Sequence, residues 1–158
     1  MQLKKTLLLS LTAISFLFLS NSCKKCKVSD DDTNTGEIVS DAIIYPSGAS
    51  LTSSYNTQLF DGVSTPADLF QVSYDGGVTR VAIDWNSYYV SSIPMTVKCE
   101  TEFVRNISKD ELNGIVRYSV DATTCKDCDQ SVFVENWVLV KKFPISYTVL
   151  YLPSVKEI

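Results

Sequence analysis

Apolar and polar positions alternate along most of the chain beyond about residue 37, with a period of two. In "PMTVKCETEFVR", Met95, Val97, Cys99 and Phe103 alternate with Thr96, Lys98, Glu100 and Glu102, which predicts a half-buried antiparallel strand over 95–105 with Cys99 on its apolar face. In "GIVRYSVDA", Val116, Tyr118 and Val120 likewise oppose Arg117, Ser119 and Asp121. "LFQVSYDGGVTRVAIDW" sets Asp75-Gly76-Gly77 between two alternating runs, and glycine there supplies the positive φ angles of a tight hairpin. "VFVENWVLV" around Trp137 is nearly continuously apolar, the pattern of a central strand buried on both faces. Strands are expected near 38–45, 52–60, 69–74, 78–85, 95–105, 115–124, 131–142 and 145–152. In "SKDELNG", Ser108 as N-cap, Glu111 three residues on and Gly114 as a stop predict one short helical turn. The fold expected is all-β: an antiparallel β-sandwich of about eight strands, of which the immunoglobulin-like arrangement is one form, with a small β-barrel as the alternative.

The N-terminus follows a different pattern. "MQLKK" precedes an apolar run of about 14 residues, "TLLLSLTAISFLFLS", which is short for a bilayer span and has the form of an export signal. The run closes on "LSNSC", with Cys23 at its end. These residues resemble the lipobox of bacterial lipoproteins, in the relaxed form ending in Ser-Cys that is common in the Bacteroidota. The resemblance covers residues 1–23. It implies cleavage before Cys23, lipidation of that cysteine and a membrane anchored through several acyl chains, which hold where one chain is marginal. The location implied is the bacterial outer membrane, with the periplasmic and cell-surface faces both open. The organisation expected is a signal peptide at 1–22, lipidated Cys23 with a flexible tether at 23–36, and one β-domain at 37–158. Asp30, Asp31 and Asp32 read as part of that solvated tether, since one flexible acidic triplet lacks the preorganised loop of a calcium site.

Charge and composition narrow the function. Beyond residue 22 the chain carries all 18 acidic and twelve of its 14 basic residues, a side-chain charge of −6. Without a basic stripe, nucleic acid is not an expected partner. There is no histidine, which excludes Ser-His-Asp and Cys-His catalysis. Asp84 with Glu135, or Glu100 with Glu102, could form a glycosidase pair only if the fold brought them face to face across a cleft.

Two Cys-x-x-Cys motifs, "CKKC" at 23–26 and "CKDC" at 125–128, suggest a zinc site, but lipidation of Cys23 takes one thiolate away. No metal and no cofactor are expected. In an exported protein Cys99, Cys125 and Cys128 are disulfide candidates, with Cys99 bridging Cys125 or Cys128 favoured over a local 125–128 bridge. Cys26 is then paired at a distance or free. Asp127 and Asp129 beside the second motif would raise a thiol pKa, which counts against redox exchange by Cys125 and Cys128.

"DWNSYYVSS" reads as a loop in which Trp85, Asn86, Tyr88 and Tyr89 could form a recognition surface, joined by Tyr55 from "SLTSSYNTQ". The plainer reading is that these rings cap the core. The function expected is a non-catalytic, membrane-anchored envelope lipoprotein whose β-domain binds a protein or glycan. Thiol–disulfide exchange and a structural role in an envelope assembly, through an edge such as "ISYTVLYLPSV", are the alternatives.

Overall fold

A computed structural model describes residue 28 and residues 32–47, 56–63 and 68–158. The signal segment, Cys23, Cys26 and Tyr55 lie outside the described residues. Within them are ten strands: β1 (Thr33–Gly36), β2 (Ile43–Pro46), β3 (Gln58–Phe60), β4 (Phe70–Ser73), β5 (Val81–Ala82), β6 (Tyr88–Lys98), β7 (Thr101–Asp110), β8 (Ile115–Thr124), β9 (Ser131–Lys141) and β10 (Thr148–Glu157). They form three open sheets, ordered β1-β7-β8-β10, β3-β6-β9 and β2-β4-β5. The architecture is all-β and of sandwich type, and no sheet closes into a barrel.

The sheet β3-β6-β9 is the middle layer. Successive side chains of a strand point to opposite faces, so β6 and β9 serve two cores. Tyr89, Ile93, Met95 and Val97 of β6, with Val138 and Val140 of β9, pack against Phe103, Ile107, Val116, Tyr118 and Val120 of the four-stranded sheet. On the opposite face Val90 and Leu139 pack against Phe70, Val72 and Ile83, with Trp85 and Trp137 closing round them. The "VFVENWVLV" strand is therefore covered on both faces in its second half. It lies at the edge of its sheet, however, and β6 occupies the centre.

Four local expectations change. The run 95–105 is two strands, since Cys99 and Glu100 turn the chain from β6 in one sheet to β7 in the other. Ser108 lies within β7, and residues 111–114 form a turn between β7 and β8, with Gly114 at φ 61°. Strand hydrogen bonds to β8 hold the backbone extended as far as Asp110, which excludes the helical turn. Two pairings are parallel, β1 with β7 and β10 with β8, beside the antiparallel ladders. β1 starts at Thr33, inside the stretch expected to be tether.

The polar centre of the sandwich is built round Arg105, which points inward between Phe103 and Ile107. Its Nε donates to Asn136 Oδ1 at 2.9 Å and an Nη donates to Asp32 Oδ2 at 2.8 Å. Asp32 Oδ1 also accepts from the Phe103 N–H at 3.0 Å. Asn136 donates through Nδ2 to the Ile93 carbonyl at 3.2 Å, and its own carbonyl accepts from the Tyr118 hydroxyl at 2.7 Å. Tyr118 and Asn136 are fully buried. Burial pushes the Tyr118 phenol well above its ordinary pKa, so it remains a donor.

The glycines of "YDGG" take the positive φ angles expected, Gly76 at 70° and Gly77 at 93°, but the turn is not tight: β4 and β5 pair only through Gln71 with Ala82 and Val72 with Val81, and residues 73–80 form the longer connection between those pairs. The Asp75 carboxylate accepts from Ser73 Oγ at 2.6 Å and from the Thr79 N–H at 2.9 Å.

Two predictions follow from this packing. Tyr118→Phe, which removes one buried donor, should lower stability by about 1 kcal/mol, and Asn136→Ala, which takes the side-chain partner from both Arg105 Nε and the Ile93 carbonyl, by about 2–4 kcal/mol, both read from urea unfolding. The Asp75 hydrogen bonds, Ser73 first, lower its pKa from the ordinary 3.8 to about 2. A depressed folded-state pKa contributes stability above the unfolded value and loses it as pH falls through the folded one. The melting-temperature advantage of the native protein over Asp75→Asn should therefore be constant above about pH 5 and shrink between about pH 4 and pH 2.

Candidate functional site

The strand directions give the molecule two distinct ends. At one end lie the end of β6, the start of β7, the end of β8, the start of β9 and the end of β10, as the pairings Lys98 with Ser131, Thr101 with Thr124 and Glu157 with Thr124 require. Three of the five cysteines gather here. Cys99 is bonded to Cys128, with Cα atoms 6.0 Å apart. Cys125 is buried, and it too is disulfide-bonded. The two sulfurs of "CKDC" are thus not joined to each other. Of the two pairings favoured for Cys99, the one to Cys128 is formed. The chain terminus is fixed at the same end: Ile158 donates to the Thr124 carbonyl at 3.0 Å and accepts from the Lys126 N–H at 3.2 Å. Lys98 adds a contact of 3.5 Å to Glu157.

The opposite end collects the loops 37–42, 84–87, 111–114 and 142–147. Hydrogen bonds tie them together: Lys142 N–H to the Ser87 carbonyl and Thr148 N–H to the Gly114 carbonyl, each at 2.9 Å. The residues expected to form a recognition surface map here, but their rings are used unequally. Tyr89 is 4% exposed; its ring packs edge-on to Phe143 at 4.9 Å, and its hydroxyl donates to the Phe143 carbonyl at 3.2 Å. It is a core residue. Trp85 is half-buried against Phe70, with centroids 6.2 Å apart, and Gly62, at φ 76°, sits so close that a Cβ would overlap the indole. The Trp85 Nε1–H is buried without a hydrogen-bond partner among the described residues.

What remains at the surface is Asn86 and part of Tyr88, together with Tyr74, a residue the sequence pattern did not single out. Tyr74 is 45% exposed at the end of β4. Its phenol pKa is raised, first by partial burial and then by the nearness of Tyr88 and Asp84. An aromatic residue directly before Asp-Gly was the available signal, since hairpin tips are exposed. The loop is preorganised: Asp84 Oδ1 accepts from the Asn86 N–H at 3.0 Å, and the Asp84 carbonyl accepts from the N–H groups of Ser87 and Tyr88 at 3.1 Å. Hydrogen bonds to its carboxylate, from the Ser87 side chain first and then from the Asn86 N–H, with Lys142 nearby, hold the Asp84 carboxyl below its ordinary range. The result is a small patch in which a carboxylate, a side-chain amide and the Tyr88 phenol from this loop and the start of β6 lie beside the Tyr74 phenol from the end of β4.

Asp84 and Glu135 do not face each other across a cleft. Asp84 lies just before Tyr88, whereas Glu135 pairs with Pro94, six residues along the β6–β9 ladder and roughly 20 Å away at about 3.3 Å per residue. A Glu100 carboxylate oxygen lies 3.6 Å from Cys125 Sγ, at the other end of the molecule. Among the described residues no group of three or more His, Cys, Asp or Glu side chains is placed to hold a metal ion. Compared with protein-family models, curated proteins and solved structures, the chain matches none.

The Cys99–Cys128 bridge closes a loop with a sequence separation of 29. A cross-link of that span restricts the unfolded chain by roughly 3–4 kcal/mol. The double variant Cys99→Ser/Cys128→Ser should lose stability of that order in urea unfolding, with the same far-UV circular dichroism at low denaturant.

Proposed function

We propose that this protein is a non-catalytic envelope lipoprotein, lipidated at Cys23 in the outer membrane, whose β-domain binds a glycan through the end remote from its anchor. The observation that carries this reading is the polarity of the molecule. β1 runs parallel to β7, with Thr33 opposite Val104 and Gly36 opposite Ile107, so the chain enters the domain from the cysteine end. Tyr74, Asp84, Asn86 and Tyr88 lie at the other end, where an anchored domain would face outward.

The chemistry of the patch supports a glycan. Phenol rings offer flat apolar faces to sugar C–H groups, while the amide and carboxylate exchange hydrogen bonds with hydroxyls at little cost in side-chain freedom. The Asp84 bonds fix the loop before any ligand arrives, which lowers the cost of ordering it. The redox alternative receives less support, since exchange by a Cys-x-x-Cys motif needs both its sulfurs in one bond, and here Cys128 is joined to Cys99.

The test uses the full-length lipoprotein in detergent on an array of bacterial and host glycans. Binding should be seen and should weaken at least tenfold in Tyr74→Ala and Tyr88→Ala, with the melting temperature little changed for the exposed Tyr74. Glycan binding that is indifferent to both tyrosines would overturn the assigned surface. Absence of glycan binding, with tyrosine-dependent capture of an envelope protein, would replace the glycan by a protein partner.

A further inference from the structure

At the loop end of the sandwich some cations are already matched by acids. Lys109 meets Glu111 at 2.9 Å, and Arg117 meets Asp110 at 3.6 Å. Lys141 and Lys142 differ. They are adjacent and exposed, and neither forms a salt bridge among the described residues. Both border the patch of Tyr74, Asp84, Asn86 and Tyr88. Lys141 is the ladder partner of Tyr88, and opposed residues of an antiparallel pair project from the same face with Cβ atoms about 5 Å apart. Lys142 donates its backbone N–H to the Ser87 carbonyl at 2.9 Å, and its Nζ lies 5.1 Å from the centroid of the Tyr89 ring.

We infer, on the reading that this end binds a glycan, that the glycan is anionic: a sugar bearing a carboxylate or a sulfate. Its charge is taken up at Lys141 and Lys142, while its ring lies against Tyr88 and Tyr74. The backbone beneath both ammonium groups is fixed to the aromatic loop, by the β6–β9 ladder at Lys141 and by the Ser87 carbonyl at Lys142. An anion arriving there accepts charge-assisted hydrogen bonds, which are stronger than those of a neutral hydroxyl. Asp84 does not fill that place. Its carboxylate accepts from the Asn86 N–H at 3.0 Å and from the Ser87 side chain, both within its own loop, and Lys142 acts on it only through space.

The shape of the surface agrees with a charged substituent on a ring. A small cleft opens between the two larger sheets at this end, lined by Ile107, Phe143, Glu37 and Lys109 together with Lys141 and Lys142. With its open mouth it measures about 210 Å³, below the roughly 300 Å³ at which pockets begin to enclose a small molecule. A sugar ring therefore stays outside, on the phenols, and only a substituent reaches the cleft. Lys109 is compensated there by Glu111, with Glu37 also close, so the uncompensated positive charge is that of Lys141 and Lys142. The chain beyond residue 22 carries a side-chain charge of −6, which repels anions at long range. Binding of an anionic sugar thus depends on this local pair.

The test uses the full-length lipoprotein in detergent on a glycan array printed with matched pairs beside neutral oligosaccharides. Oligogalacturonate stands next to its methyl ester, and sulfated chondroitin next to the desulfated chain. At least one charged member should bind about fivefold or more tighter than its neutral counterpart, and that preference should fade as salt is raised. It should vanish in Lys141→Gln/Lys142→Gln and survive in Lys141→Arg/Lys142→Arg, with the melting temperature unchanged in both. The pair that responds tells carboxylate from sulfate. Equal, tyrosine-dependent binding of charged and neutral glycans would overturn the inference and leave the glycan reading intact. A preference for charge that persists in the double glutamine variant would overturn the assignment to Lys141 and Lys142. Binding to no glycan on the array would remove the glycan reading itself, and this inference with it.

Discussion

The structure depends on how one buried guanidinium is accommodated. Arg105 occupies an inward position of β7, between Phe103 and Ile107, where a bare charge would cost several kcal/mol. Asn136 from the facing sheet and Asp32 from the entering chain supply its acceptors, and Tyr118 completes the hydrogen bonding of Asn136. The network joins β7, β8 and β9 with the residue that precedes β1, and it reaches β6 through the Ile93 carbonyl. Apolar side chains could have filled that space, but they would slide. Directional bonds fix one register between the two sheets and one point of entry for the chain.

That point of entry orders everything at the surface. With Asp32 held at Phe103 and β1 parallel to β7, Asp32, Ile158 and Cys99, Cys125 and Cys128 all fall toward one end of the sandwich. The aromatic loop, the Gly114 turn and the 142–147 segment fall at the other. The proposed function uses this division of labour: covalent and ionic ties hold one end, while a rigid loop and the phenols beside it are displayed at the other. The third layer contributes to the display, because Tyr74 reaches the patch only through the β4–β5 hairpin seated on the outer face of β6 and β9.

Much of the fold was legible in the chain, and where the reading failed the cause is specific. "GIVRYSVDA" behaves as its alternation implies, and the glycines of "YDGG" take the φ angles that turn chemistry asks for, although the connection they sit in is longer than a tight hairpin. The corner at Cys99-Glu100 was hidden because alternation keeps its parity across it: Met95 and Val97 face inward from one sheet, Phe103 from the other, and neither glycine nor proline marks the break. "DWNSYYVSS" reads as a loop because the chain is expected to turn after Trp85, yet Ser91 and Ser92 are buried in β6, where Ser91 Oγ donates to the Gln58 carbonyl at 3.2 Å. A small hydroxyl that finds a backbone acceptor is tolerated in a core, and single-sequence patterning does not register this. Of the two readings of this stretch, Tyr89 takes the plainer one and packs in the core. Tyr74 went unnoticed because nothing in its own segment reveals that the hairpin will be set beside Tyr88.

The sequence by itself determined the all-β class, the positions of the turns that need positive φ, and the disulfide candidates, because these depend on local sterics and on a period of two. Only the tertiary structure decided that there are three layers, that two pairings are parallel, that Arg105 points inward, that Cys99 takes Cys128 rather than Cys125, and which aromatic rings remain exposed. Each of those outcomes depends on segments far apart in the chain meeting in space. A residue's own neighbours carry no record of the partner that buries it, satisfies it or leaves it open.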